Sequence, residues 1–128
     1  MFYKRTNNRG DYTLKNSYEE KNNKLYINGN ETTVPLPVKT VLDLNDRIIV
    51  LSRELSLNIN VFCLDVDGNI LWKIQECPHG YGAKPYTNIL MSDAGELIAY
   101  NFIGFDYRVD LNTGAVERPP GDQPNRAW

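Results

Sequence analysis

The chain has 128 residues, with 14 Lys and Arg against 16 Asp and Glu and a single His, for a formal charge of −2. That length suits one domain, able to bury about two thirds of its unfolded surface without disulfides or metals. Apolar residues at 41% and charged residues at 23% exclude wholesale disorder, collagen-like repeats and coiled coil. The mild acidity argues against nucleic-acid binding through phosphates, which needs clustered Lys and Arg.

Charge is uneven along the chain. Residues 1–24 hold Lys4, Arg5, Arg9, Lys15, Lys21 and Lys24 against Asp11, Glu19 and Glu20, a net +3, which leaves −5 for residues 25–128. The basic start lacks the apolar stretch of a signal peptide. The longest apolar run, Ile48 to Leu51, is far short of the roughly 20 residues a membrane-spanning helix needs. These features predict a cytoplasmic protein with no membrane association. Cys63 sits in an apolar alternation as a small hydrophobe, and whether it pairs with Cys77 stays open.

Taken in order, residues 1–24 read as an N-terminal arm whose one helix-like stretch is Lys15 to Lys24, limited to a turn or two by its Asn content. From there period-two patterns bounded by turn residues take over. Residues 25–37 form a hairpin around Asn28-Gly29, a pair suited to the positive φ angles of a type I′ turn. Residues 38–75 hold four strands that turn at Asn45-Asp46 and Asp67-Gly68, and residues 85–118 hold four more that turn at Asp93 to Gly95 and Asn112 to Gly114. Residues 119–128 are a Pro-rich tail ending in Trp128. The expected fold is all-β: two antiparallel four-stranded meanders plus a hairpin. Asp65 and Asp110 stand at equivalent places, 45 residues apart, a spacing found among propeller blades.

The segment Val61-Phe62-Cys63-Leu64-Asp65-Val66-Asp67-Gly68-Asn69-Ile70-Leu71-Trp72-Lys73 resembles a blade of quinoprotein-like and WD-repeat-like propellers. Arg108-Val109-Asp110-Leu111-Asn112-Thr113-Gly114 resembles the sister form with an Asn-Thr-Gly turn. A closed propeller needs four or more blades, so the resemblance implies a half-propeller. That shape is similar to small bacterial immunity proteins of contact-dependent growth-inhibition systems. Open blade faces invite association, and the arm and tail are expected to cover them and keep the chain monomeric by itself.

No motif specifies catalysis. Cys77-Pro78-His79 lacks the surroundings of a nucleophile and base, and supplies two of the four ligands zinc wants. Asp65-Val66-Asp67-Gly68-Asn69 has the start of a calcium loop without its later Glu. Gly80 to Lys84 is not a phosphate loop. A non-enzyme with neither metal nor cofactor is the expectation.

In antiparallel meanders the connections alternate between two ends. One end gathers tight turns; the other gathers the longer loops 54–57, 75–85 and 103–106, where binding residues concentrate. Glu54, Glu76, His79, Tyr81, Lys84, Tyr86, Phe105 and Asp106 are the candidate partner-binding residues at that long-loop end. Tyrosines supply interface anchors, and the carboxylates suit a basic surface. With the resemblance, these residues imply an immunity protein that occludes the active site of a cognate toxin, a basic nuclease. The alternatives are a small-ligand or carbohydrate-binding module, or a propeller subunit completed by oligomerisation.

Overall fold

The computed structural model describes residues 2–4, 16–54, 58–78, 85–101 and 106–117. Among them are twelve strands and no helix. The first sheet comprises β1 (Phe2–Lys4), β2 (Ser17–Lys21), β3 (Lys24–Ile27) and β4 (Asn30–Glu31). The second comprises β5 (Val38–Asp43), β6 (Ile48–Ser52), β7 (Val61–Leu64) and β8 (Ile70–Lys73). The third comprises β9 (Tyr86–Met91), β10 (Leu97–Asn101), β11 (Asp106–Val109) and β12 (Val116–Glu117). Each is an antiparallel meander whose spatial order follows the chain.

The first sheet corrects the expectation of a basic arm with a helical turn. Within Lys15 to Lys24 the described residues 16–24 are not helical: Ser17–Lys21 pairs with Lys24–Ile27, and Asn22-Asn23 between them takes φ angles of 52° and 62°. Two consecutive positive φ angles make a type I′ hairpin, a conformation Asn tolerates better than most residues. The same turn recurs one hairpin later at Asn28-Gly29, with φ of 50° and 84°. Residues assigned to an arm thus supply two strands of a third meander. Residues 118–128, including the Pro-rich tail and Trp128, lie outside the described residues.

Packing explains why β6 and β7 read as unbroken apolar runs. Both are buried on every residue, because the second sheet lies between the other two. Ile48, Val50, Phe62 and Leu64 face Leu25, Ile27 and Val34 of the first sheet and its exit. Ile49, Leu51, Val61 and Cys63 face Ile89, Leu97, Ala99, Tyr107 and Val109 of the third. The period of two sends alternate side chains into two cores, each Ile or Leu contributing about 1.5–3 kcal/mol on burial.

Neighbouring sheets are also tied through their turns. Trp72 of β8 lies on Gly114 in the β11–β12 turn, where an added Cβ would come within 2.6 Å of the indole, and its Nε1 donates to Leu111 O at 2.9 Å. Arg47 Nη1 donates to the same carbonyl at 2.6 Å. One sheet back the arrangement repeats. Thr32 and Asn30 cover Gly68 in the β7–β8 turn, and Asn28 Nδ2 donates to Val66 O at 2.8 Å. The outward face of the first sheet is polar instead, with Lys21 paired to Glu19 at 3.2 Å and Lys24 to Glu31 at 3.7 Å. Such a face ends a stack in water.

Candidate functional site

The tight-turn end is built by side chains that accept their own backbone. Asp65 Oδ1 accepts from the amides of Asp67 and Asn69, both at 2.9 Å, and its other oxygen accepts from Asn69 Nδ2 at 3.1 Å. Asp110 Oδ1 accepts from Asn112 N at 2.7 Å and Thr113 N at 3.2 Å, the same role one sheet later. Asp43 Oδ1 accepts from Asn45 N at 2.9 Å and from the buried Asn16 at 2.7 Å. The donors around Asp65, Asn69 N foremost, hold its carboxyl below its ordinary value. Its oxygens are engaged by the turn, which accounts for the calcium-like spelling of 65–69 without a metal. Among the described residues no group of three or more His, Cys, Asp and Glu is placed to hold one.

The result is a concentration of negative charge that the sequence reading placed elsewhere. Asp43, Asp46, Asp65, Asp67, Asp93, Glu96 and Asp110 all stand on or beside tight turns at this end. Among the described residues, Lys4, Arg47 and Arg108 are basic at this end: Lys4 closes β1 opposite Ser17, the Arg47 guanidinium is committed to Leu111 O and to Asp46 at 3.3 Å, and Arg108 pairs with Glu96 at 3.2 Å.

Among the described residues the long-loop end is more evenly charged. Lys21, Lys24, Arg53 and Lys73 border it together with Glu54, Glu76 and Asp106. Glu76 is exposed and accepts from Asn58 Nδ2 at 2.7 Å, and Ile59 beside them is 40% exposed. Glu54 is half-buried, its amide donating to Ser52 Oγ at 3.1 Å, and Asp106 is half-buried where it opens β11. Tyr86 is a correction: its side chain is 1% exposed, packs edge-on against Tyr107 at 6.3 Å, and donates to Gln75 O at 2.8 Å. It anchors the root of the loop in the core and offers no surface to a partner. His79, Tyr81, Lys84 and Phe105 lie outside the described residues.

Behind this end is a buried polar network that sequence reasoning passed over. Asn60 is fully buried, donating to Ser52 O at 3.1 Å and Tyr86 O at 2.8 Å while accepting from Tyr86 N at 2.9 Å. It stitches the end of β6 to the start of β9. Cys77 is likewise enclosed, receiving Asn101 Nδ2 at 2.8 Å and lying 3.3 Å from the Tyr107 hydroxyl. Cys63 is a free thiol that burial pushes up to about 11, an inert core group. The only sequence signal for Asn60 is a polar residue opening an apolar strand.

A family model described as a domain of unknown function (DUF7957) matches residues 15–120. The chain belongs to the DUF7957 family. No curated protein and no solved structure matches it. The DUF7957 span runs from just before Asn16 past β12, so it contains both ends of the stack and all the turn carboxylates named above.

Proposed function

We propose that this DUF7957 chain is a non-enzymatic binding protein of the immunity type, which neutralises a cognate bacterial toxin by covering its active site. The toxin is a nuclease, whose phosphate-binding surface is basic. The observation that supports this reading is the row of carboxylates at the tight-turn end, held by a scaffold of three packed sheets. Charges fixed on rigid turns lose little entropy on binding and steer a basic partner at long range. The docking face is therefore that end, rather than the long-loop end expected from loop length. Buried Cys77 and the engaged Asp65 and Asp110 favour a scaffold role for these groups over chemistry.

The test is co-expression with the toxin domain encoded beside this protein's own coding sequence. Protection that depends on this chain supports the proposal. A neighbouring product that is harmless by itself, or whose toxicity the chain leaves untouched, refutes it.

A further inference from the structure

Between the β9–β10 turn and the β11–β12 hairpin lies a cleft of about 420 Å³. Its lining mixes apolar Leu111 and Val116 with Glu96, Arg108, Asp110 and Glu117. Arg108 does not offer it a free cation. The guanidinium donates to Glu96 Oε2 at 3.2 Å and to Glu117 Oε1 at 2.7 and 3.0 Å. Two carboxylates hold the guanidinium and Asp110 adds a third to the lining, so the cleft carries net negative charge and repels a phosphate or carboxylate. The side chains of Glu96 and Glu117 remain 42% and 65% exposed, leaving acceptor positions open toward solvent. An apolar wall beside exposed carboxylates matches a long cationic side chain, whose methylene stem packs while its head is hydrogen-bonded.

We propose that this cleft anchors the basic partner by receiving one of its arginine or lysine side chains. The assignment rests on the function proposed above and adds where the contact is made. Asp67 and Asp93, on exposed turns, then steer the encounter while the cleft holds the complex.

The experiment titrates the full chain with an octa-arginine peptide, and separately with spermidine, following backbone amides by NMR. The proposal expects saturable shifts at Leu111, Val116 and Glu117. It expects affinity to fall by at least about fivefold in the Glu96→Gln/Glu117→Gln double variant, and by less than about twofold in Asp67→Asn/Asp93→Asn. Ala115→Trp, a change at an exposed lining residue, keeps every charge and fills the cleft, and a similar loss is expected from it should the double variant fail to fold. Peptide binding that ignores the cleft variants overturns the anchor and leaves a basic partner standing. Absence of saturable binding overturns both readings. Spermidine binding as tightly as the peptide overturns the assignment to a protein partner.

Discussion

Gly114 and Gly29 occupy the same place in their meanders and have similar φ angles, 80° and 84°, yet they should respond differently to substitution. Gly114→Ala must place a Cβ 2.6 Å from Trp72, whereas nothing lies within 4 Å of one at Gly29. The left-handed angle alone costs about 1–2 kcal/mol. Gly29→Ala should lose roughly that much, and Gly114→Ala about 3 kcal/mol or more once the indole is displaced. Urea unfolding of the two variants checks the difference. Asp65 carries a pH prediction. Its folded-state pKa lies below the ordinary value, so its contribution is present above about pH 4 and is lost as pH falls through the lowered value. Asp65→Asn should flatten that acid limb, which unfolding midpoints measured between pH 2 and 6 would show. These turns were legible because their code is local: an acceptor side chain, a short spacing and a glycine. The burial of Tyr86 was not, because it depends on Asn60 and Gln75 arriving from another sheet.

Strand by strand, the meanders at 38–75 and 85–118 could be read from alternation and turns, and the strands fall where those signals put them. The first meander was half missed. Ser17-Tyr18-Glu19-Glu20-Lys21 has the composition of a surface helix, and only the Asn22-Asn23 pair marks it as a strand. Tertiary pairing with β3 outweighs local propensity there. The joint between the second and third sheets includes Asn60, which satisfies two carbonyls and one amide in a place closed to water. Asn60→Ala should cost about 3 kcal/mol, since buried backbone groups left without partners cost about 1–3 kcal/mol each. The melting temperature of that variant tests this. An unchanged value would show that apolar packing and the Trp72 and Arg47 contacts with Leu111 O hold the sheets together without Asn60.

Across the whole molecule the sequence yields the size of the negative charge and not its position. A net −5 over residues 25–128 was plain, but only the antiparallel order of twelve strands sorts Asp43, Asp46, Asp65, Asp67, Asp93, Glu96 and Asp110 to one end. If that end meets a basic partner, association should be fast and should slow steeply between 50 and 500 mM salt, roughly tenfold or more. Asp67→Lys/Asp93→Lys should slow it by about tenfold, while Glu54→Lys/Glu76→Lys at the opposite end should change it little. Association kinetics of these two variants with the proposed partner, a toxin domain sought beside this protein's coding sequence, against the unaltered chain, is the measurement that bears most directly on the account. Slowing confined to the tight-turn variant is the predicted result. Slowing confined to the long-loop variant, or no association with the unaltered chain, would contradict it.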